Sequence, residues 1–508
     1  MNKLQQGFPK KNLNEQHQIA VKLKTTPFFK IKKMQSNQLK TSKTQFLLGC
    51  IFCLLFNNLQ AQDKTIVNIN TANVKWTISD YLVGMHSVYS FEPDAFYADG
   101  SYASWMKTTG INTMRYPGGT VVKYWDWENP TGDLKLDSWD PKWNPKKQKK
   151  PEEWFGLDEY IAVVKQSGIT PLLGVNITSG YQFNRVEESI ERAVKMVKHV
   201  KDAGLGGAFW YLGNEGKNGG LESEAKLFVQ HAKAMKAVDP EIKCMFNQNH
   251  LTPSYLKKYL TIAGDYIDIV ETHGKWPYGG APKGYEPGTY EEWQVESPLR
   301  DRKNSNRVWR DQIPLLQKAA EEAGYPNIKF ANNEYGIGKG PNVLGFDRYS
   351  KSLLVIDMLQ EFFIGNWYMA CYWSQLKSSS EESVRSSARE NYRFNAMRFG
   401  FELLAKAQGG AMLEMTHLKG NQSVYGFAAK KGDEYLVYIL NKSDNNQELV
   451  LNFNNKQKLV FVDGKSMVNT QDKFGKMIST AIDSNDQKNS FKSNLKPMSY
   501  TRFTFKTK

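Results

Sequence analysis

Two Asn-Glu pairs are the residues of this sequence whose types and spacing could carry out chemistry. Asn214-Glu215 closes the apolar run GAFWYLG (207–213), and Asn333-Glu334 lies within the run IKFANNEYG (328–336). A buried carboxylate costs solvation free energy, so each glutamate is either a member of a structural ion pair or a functional group. Two carboxyl groups in different environments suit acid–base and nucleophilic chemistry, because one can stay protonated while the other is ionised.

Eight short apolar runs, alternating with amphipathic stretches, must position these glutamates. The runs are YLVGMH (81–86), INTMRY (111–116), TPLLGVNI (170–177), GAFWYLG (207–213), KCMFNQ (243–248), YIDIVETH (266–273), IKFANNEYG (328–336) and WYMACYW (367–373). Their nearly continuous hydrophobicity favours parallel strands covered on both faces. The stretches between them, such as 184–204 and 221–240, favour helices. The alternation predicts an α/β fold, a (β/α)8 TIM barrel over residues 80–404.

The sequence pattern changes beyond residue 404. The segment 423–453 reads as short alternating strands around Gly, Asn and Asp turns, which is typical of a β-sandwich. Residues 64–78, ahead of the barrel, show the same pattern. We therefore predict a β-sandwich over residues 405–508, completed by one or more strands from residues 63–79.

A parallel barrel brings the carboxyl ends of its strands to one rim, where barrel enzymes carry their catalytic groups. Glu215 and Glu334 end the fourth and seventh predicted strands, so they can face each other across a substrate. Cleavage of a glycosidic bond requires such a pair, one carboxyl group to protonate the leaving oxygen and another to attack the anomeric carbon. Carboxyl separations of about 5–5.5 Å give a retaining reaction, and about 6.5–9.5 Å an inverting one.

Three motifs resemble those of the glycoside hydrolases of clan A. They are RYPGG (115–119), LGNE (212–215) and NEYG (333–336). The arabinofuranosidases of family 51 and the xylosidase-like family 39 are most similar, and the resemblance spans roughly residues 64–508. The segments THGKWPYGG (272–280) and NNEYGIGKG (332–340) depart from the family 51 pattern and leave the sugar open.

The resemblance assigns roles to four residues on the predicted rim. It implies that Glu215 is the acid/base proton donor and Glu334 the nucleophile of a retaining double displacement. Asn214 would hydrogen-bond the sugar hydroxyl next to the anomeric carbon. Arg115 would lie beside Glu334 and keep it ionised. The alternatives are that both glutamates belong to structural ion pairs and that Arg115 is a salt-bridge partner.

Histidine and aromatic side chains complete the predicted substrate site. The resemblance implies that His273 and Tyr278, after the sixth strand, orient the nucleophile or contact the sugar. Trp373, which ends the eighth strand, would be the platform beneath the bound ring. The alternatives are an ordinary packed histidine at position 273 and a tryptophan at 373 that fills the barrel.

A loop after the second strand combines indoles with lysines. Residues 124–156 contain Trp125, Trp127, Trp139, Trp143 and Trp154, together with Lys142, Lys146, Lys147, Lys149 and Lys150. Apolar faces of sugars stack on indole rings, and lysines bind sulfate or carboxylate groups, so Trp125 and Trp127 are candidate substrate contacts and the substrate would be anionic. The alternative is a loop packed on the barrel, with its lysines in solvent.

The N-terminal segment accounts for most of the formal net charge of +15, because residues 1–62 carry ten lysines and one acid. The remaining excess is mild and does not indicate nucleic-acid binding. The run FLLGCIFCLLF (46–56), preceded by lysines and followed by Ala61, predicts a secretory signal cleaved near Ala61. It is too short for a membrane span. We expect a secreted or periplasmic protein. A lipoprotein box at LLGC (47–50) is the less favoured alternative, and translation could begin at Met1 or Met34.

No sequence motif indicates a metal or a cofactor. Zinc-ligand spacings, HExxH and Walker loops are absent from the sequence. The GxG of GLGGAFW (204–210) precedes a strand, so it lacks the context of a dinucleotide site.

The sequence predicts a secreted retaining O-glycoside hydrolase that needs neither a metal nor a cofactor. Its partner would be a plant- or algal-type polysaccharide or its oligosaccharides, with no nucleic acid. Two alternatives are an endo-acting hydrolase of a sulfated galactan and a catalytically silent carbohydrate-binding barrel. The sugar, the linkage, exo or endo action and the oligomeric state stay open.

Overall fold

The computed structural model describes residues 64–508 except 134, 217, 249–250, 277–288, 296–308, 338–343, 377–378 and 488. The predicted signal segment and Tyr278 therefore lie outside the described residues. The strands are β1 (Thr65–Thr77), β2 (Tyr81–His86), β3 (Thr113–Tyr116), β4 (Thr170–Val175), β5 (Phe209–Leu212), β6 (Lys243–Asn247), β7 (Ile269–Glu271), β8 (Gly274–Trp276), β9 (Lys329–Ile337), β10 (Met369–Trp373), β11 (Ala411–Lys419), β12 (Val424–Lys431), β13 (Glu434–Asn441), β14 (Gln447–Asn454), β15 (Leu459–Val468), β16 (Lys476–Ser479), β17 (Ser484–Gln487), β18 (Ser490–Leu495) and β19 (Ser499–Thr507). The α-helices are α1 (Ser101–Thr109), α2 (Leu157–Ser167), α3 (Thr178–Gln182), α4 (Val186–Asp202), α5 (Leu221–Val238), α6 (Pro253–Ala263), α7 (Tyr290–Val295), α8 (Trp309–Glu322), α9 (Arg348–Ile364) and α10 (Met397–Ala405).

Eight parallel strands close a barrel. Their order is β2, β3, β4, β5, β6, β7, β9 and β10, and β10 pairs with both β9 and β2 to complete the ring. The short strand β8 pairs with the C-terminal end of β9, beyond β7. Each of the eight predicted apolar runs overlaps one barrel strand. The predicted (β/α)8 barrel is confirmed.

Apolar side chains fill the barrel interior. Leu172, Phe209, Met245, Ile269 and Met369, each from a different strand, belong to one buried cluster. Helices such as α4 cover the outside of the barrel, with Ala193, Met196, Val197 and Val200 on the buried face of α4. A packed barrel is a rigid support for side chains that leave the strands at the rim.

The second module is a ten-stranded mixed sheet in the order β16-β15-β19-β13-β12-β11-β1-β14-β18-β17. β1 lies between β11, to which it is antiparallel, and β14, to which it is parallel. The sheet folds over on itself, because Phe453 of β14 and Phe491 of β18 pack on Phe505 of β19 with ring centroids 4.8 and 4.6 Å apart. These two layers are the predicted sandwich, and the segment before the barrel supplies one of its strands.

Helix α9 lies between the barrel and this sheet. Its residues from Leu353 to Phe363 are all buried, whereas a helix facing solvent would keep one polar face. Phe363 stacks on Phe427 of β12 at 5.3 Å, and the Tyr349 hydroxyl donates to the Met498 carbonyl at 2.8 Å. Within the described residues, no helix is both long and apolar enough to cross a membrane.

Candidate active site

Glu215 and Glu334 meet at the C-terminal rim of the barrel, where both approach the same atom of His273. Nδ1 of His273 lies 2.8 Å from Oε1 of Glu215 and 3.6 Å from Oε2 of Glu334. These two oxygens therefore lie at most 6.4 Å apart, the sum of the two distances. The side chain of Glu215 is 28% exposed and that of Glu334 is 9% exposed. The structure thus brings the two predicted carboxylates and His273 together.

Arg115 lies fully buried beneath this pair. Its Nη1 is 3.5 Å from Oε2 of Glu334, and its Nη2 donates to Oδ1 of Asn214 at 2.9 Å. The guanidinium lies over the Tyr211 ring, 4.0 Å from its centroid. Burial alone would lower the pKa of Arg115, but Glu271, Tyr211 and Glu334 raise it above its ordinary value. A permanent positive charge therefore lies beside Glu334.

His273 lies between β7 and β8, and both of its ring nitrogens face carboxylates. Nε2 is 2.7 Å from Oε1 of Glu271, while Nδ1 faces Glu215 and Glu334. A carboxylate only accepts hydrogen bonds, so this geometry favours a proton on each ring nitrogen. Burial lowers the pKa of His273, but the three carboxylates together raise it to about 9. His273 is therefore an imidazolium at neutral pH.

Glu271, the last residue of β7, is a third carboxylate that the sequence reasoning missed. It is fully buried, and its Oε1 forms an ion pair with Nη2 of Arg115 at 3.1 Å while Oε2 accepts a hydrogen bond from Nδ2 of Asn333 at 3.2 Å. Burial would raise the pKa of Glu271, but Arg115, His273 and Asn333 lower it below its ordinary value. The signal was present in the sequence, because an acidic residue inside the apolar run 266–273 demands a partner.

The backbone of Glu215 is held in a left-handed conformation, with φ of 49°. This conformation costs a non-glycine residue about 1–3 kcal/mol and persists where the surroundings fix it. Asn247, which ends β6, accepts a hydrogen bond from the Glu215 amide and donates to the Gly213 carbonyl at 2.8 Å. The turn that presents Glu215 is therefore fixed from the neighbouring strand.

The RYPGG motif leaves room for Glu334. A Cβ atom on Gly119 would lie 2.5 Å from Oε2 of Glu334, which is closer than van der Waals contact allows. The preceding Gly118 exchanges hydrogen bonds with the Tyr211 hydroxyl, donating at 3.3 Å and accepting at 2.6 Å. The glycines thus let the loop after β3 approach Glu334 closely.

His86 and Trp373 form the next part of the rim. Nη1 of Arg115 donates to Nε2 of His86 at 3.2 Å, so His86 is neutral with its proton on Nδ1. The Trp373 ring packs edge-on against His86, with centroids 4.4 Å apart. His86 and Asn247 both end barrel strands, so the same strand-end rule that selected Glu215 would have found them.

The tryptophan loop after β3 packs on the barrel. Trp125 is buried against Tyr116, with ring centroids 5.2 Å apart, and Nε1 of Trp127 donates to the Arg192 carbonyl of α4 at 3.1 Å. The Arg192 guanidinium lies 3.7 Å from the centroid of Trp139. These contacts place Trp125 and Trp127 in the packing of the loop, so their role as sugar contacts stays a prediction.

Buried ion pairs hold this loop to the barrel. Arg192 bridges Asp126 and Asp137 at 3.1 and 3.2 Å, and Nδ2 of Asn176 donates to Oδ2 of Asp137 at 2.8 Å. Lys142 and Lys150 of the same loop are exposed. The loop therefore has a structured interior and a basic outer face.

Two cavities lie at the opposite end of the barrel, where strands begin. They measure 390 and 750 Å³, and both are lined by Ile328, Lys329 and Tyr368. Neither lining contains the paired carboxylates. Across the part of the chain that the structure describes, no group of three or more His, Cys, Asp or Glu side chains has the arrangement of a metal site.

Part of the sequence matches a known domain family. Residues 105–205 match the model of the alpha-L-arabinofuranosidase 1 domain. A curated relative, an intracellular exo-alpha-(1->5)-L-arabinofuranosidase from Streptomyces lividans, is 26% identical over 156 residues. That match covers 27% of this chain and 23% of the relative, so the chain spans less than a quarter of the relative's length.

Solved structures resemble the chain over most of its length. The GH51 arabinofuranosidase from Xanthomonas axonopodis pv. citri has a TM-score of 0.63 and 12% identity, covering 88% of this chain and 100% of that one. A Paenibacillus polymyxa xyloglucanase of glycoside hydrolase family 44 has a TM-score of 0.60 and 14% identity, with the same coverage. The structures confirm the fold. Together with the domain match, they support the resemblance to clan A glycoside hydrolases, with family 51 among the most similar.

Proposed function

We propose that this protein is a retaining O-glycoside hydrolase of the clan A type, with Glu215 as the acid/base and Glu334 as the nucleophile. The observation that carries the proposal is the shared contact of both carboxylates with one nitrogen of His273. It limits their nearest oxygens to 6.4 Å. This limit favours the retaining separation of about 5–5.5 Å over the inverting one of about 6.5–9.5 Å.

The two carboxylates differ in their surroundings, which supports different roles. Glu334 is nearly buried and lies 3.5 Å from the permanent charge of Arg115, so its ionised form is favoured. Glu215 faces Nδ1 of His273 at 2.8 Å, and more of its side chain reaches solvent. The buried anion suits the nucleophile, and the more accessible carboxyl group suits proton exchange with the leaving group and with water.

The reaction then follows in two steps. The Glu334 carboxylate attacks the anomeric carbon while Glu215 gives its proton to the departing glycosidic oxygen, and a covalent glycosyl-enzyme forms. Next, the Glu215 carboxylate takes a proton from water as the water oxygen attacks the same carbon. The bond to Glu334 breaks, Glu215 is protonated again, and the sugar leaves with its original anomeric configuration.

We propose a plant- or algal-type polysaccharide or its oligosaccharides as the substrate. Two of the similar proteins are an arabinofuranosidase and a xyloglucanase, which supports a carbohydrate of this kind. The exposed lysines of the loop after β3 favour a second candidate, an endo-acting hydrolase of a sulfated galactan. A panel of nitrophenyl glycosides, tested beside neutral and sulfated polysaccharides with product chromatography, would discriminate between the two.

We also propose that the protein is exported. The support is the sequence of residues 40–61, in which lysines precede a short apolar run that ends before Ala61. N-terminal sequencing of the protein recovered from the periplasm and medium would find a start near Gln62. An intact N-terminus in a cytoplasmic fraction would contradict export and leave the proposed chemistry untouched.

Azide rescue tests the two roles. Glu334→Ala should lose hydrolysis by about 10³-fold or more, because no covalent intermediate can form. Added azide should restore turnover and yield a glycosyl azide of inverted configuration, since azide occupies the vacated space. Glu215→Ala with azide should instead give the azide of retained configuration, formed from the glycosyl-enzyme. Product configuration is read by NMR.

A matched control is Glu321→Ala, at an exposed position of α8. This variant should keep full activity, and added azide should not change its rate or its product. Undiminished hydrolysis by Glu334→Ala would refute the proposed mechanism.

A further inference from the structure

The buried carboxylate of Glu271 contacts His273 and Arg115, the two side chains that reach the catalytic glutamates. Its Oε1 lies 2.7 Å from Nε2 of His273 and 3.1 Å from Nη2 of Arg115. Arg115 in turn reaches Glu334, and His273 reaches both Glu334 and Glu215. Glu271 itself is fully buried and lies below the two catalytic carboxylates, so it acts on the reaction through its neighbours.

Glu271, its two partners and the two catalytic glutamates form a cluster in which positive and negative charges differ in number. Two cations, Arg115 and His273, face three carboxylates, Glu215, Glu271 and Glu334. With all three ionised, the cluster carries one excess negative charge. A single proton on a carboxyl group makes it neutral. Arg115 faces Glu271 and Glu334, which favours their ionised forms, and Glu215 has the most exposed side chain of the three, so it is the carboxylate that takes this proton.

The other titratable groups around the cluster leave this balance unchanged. They are Tyr211 of β5, His86 of β2 and Cys371 of β10. Burial raises the pKa of Tyr211 and of Cys371, so both are neutral near pH 7. His86 accepts a hydrogen bond from Arg115 at Nε2, which requires the neutral ring.

We propose that Glu271 is a positioning residue whose negative charge raises the proton affinity of its neighbours, so that His273 stays an imidazolium between the two catalytic carboxylates and the working proton stays on Glu215. The inference rests on the proposed function and deepens it. It explains why a buried glutamate, costly to desolvate, occurs at this depth of the barrel. It also gives Glu215 a reason to recover a proton after each proton donation, because the deprotonated cluster carries excess negative charge.

Glu271→Gln is the direct test, because it removes the charge and keeps the shape. The Gln amide can replace the carboxylate oxygen that faces Asn333, since Oδ1 of Asn333 has no hydrogen-bond partner among the described residues and the Asn333 amide can turn to accept. Losing a buried negative charge lowers the proton affinity of every neighbour. The alkaline limb of the kcat/KM profile should therefore move to lower pH, by about one unit or more.

Leaving-group chemistry gives a second readout. Substrates with a poor leaving group need protonation by Glu215, so Glu271→Gln should slow them by about ten-fold or more at pH 7. Dinitrophenyl glycosides leave without a proton and should slow by less than about three-fold. Glu271→Asp, which retains the charge, should keep the alkaline limb close to its original position even if kcat falls.

A control separates charge from stability. Asp357 of α9 is fully buried and lies 3.4 Å from Nζ of Lys442, away from the rim. Asp357→Asn should lower the Tm and leave the pH profile in place. A Glu271→Gln enzyme with an unshifted alkaline limb, or with equal losses on both classes of leaving group, would overturn the inference.

Histidine NMR supplies a measurement that needs neither a variant at position 271 nor a substrate. In protein labelled at histidine with ¹⁵N, and assigned with a His273→Gln variant, His273 should keep both ring protons up to pH 8. A neutral His273 ring at pH 7 would overturn the inference. This readout does not depend on turnover. If no substrate were hydrolysed, that result would contradict the proposed function and would leave this test of His273 in place.

Discussion

Several residues besides the two glutamates set the geometry of the site. Sequence reasoning found Glu215, Glu334, Arg115, Asn214 and His273 because each ends or follows a predicted strand. It missed Glu271, since that residue precedes His273 within one apolar run and its partners come from other strands. The pairings between strands depend on the closure of the barrel, and local sequence patterns do not specify them.

Gly119 is predicted to be essential for the position of Glu334, the proposed nucleophile. In Gly119→Ala the new Cβ would press on Oε2 of Glu334, 2.5 Å away, and displace it from Arg115. A shift of about 1 Å at a reacting group can cost about 10²-fold in rate. We expect kcat to fall by this order while the variant stays folded, as measured by steady-state kinetics and circular dichroism.

Gly432→Ala is the comparison for this variant. Gly432 has φ of 61° and open space around it, so the change costs stability through backbone strain alone. Its kcat should match the original enzyme. Equal activity of the Gly119→Ala and Gly432→Ala enzymes would show that the close approach to Glu334 is irrelevant.

At the element scale, residues that end two of the barrel strands support groups of the candidate site on other strands. Asn247, at the end of β6, holds the turn after β5 that carries Glu215. Glu271, at the end of β7, anchors Arg115 of β3 and Asn333 of β9. The strands were predictable from their apolar runs, whereas these cross-strand supports depend on the register of the closed barrel.

Asn247→Ala should lose both activity and stability. It leaves the Glu215 amide and the Gly213 carbonyl without their buried partner, which costs about 1–3 kcal/mol for each unsatisfied group. The turn at Glu215 would then relax from its strained φ. We expect a lower unfolding free energy in urea and a kcat reduced by about ten-fold or more.

Asn441→Ala isolates the stability effect. Asn441 is buried in the second module and donates to the Asn445 and Lys496 carbonyls at 3.1 and 2.8 Å. This variant should lose comparable stability and keep its kcat. If Asn247→Ala also keeps its kcat, Asn247 is a structural residue only.

At the scale of the whole molecule, the barrel and the sheet share helix α9. The sequence predicted two modules and the contribution of an N-terminal strand to the sandwich. The order of the ten strands could not be predicted from the sequence, because the neighbours of β1 lie more than 300 residues away in the chain. Such pairings follow from packing and not from local pattern.

The barrel alone is therefore predicted to be unstable. A fragment of residues 80–404 would expose the face of α9 that stacks on β12 and hydrogen-bonds to the sheet. A large exposed apolar patch promotes aggregation. We expect the fragment to be insoluble or to melt at least about 10 °C below the full chain by circular dichroism, given a loss of several kcal/mol. An equally stable fragment would contradict this dependence.

The position of β1 between β11 and β14 also fixes an order of events. During synthesis β1 emerges first, but its two partners, within residues 411–454, emerge only after the entire barrel. β1 therefore stays without these two partners until the barrel has been made, and the sheet can be completed only late in synthesis. The complete fold can therefore form only after most of the chain has been made.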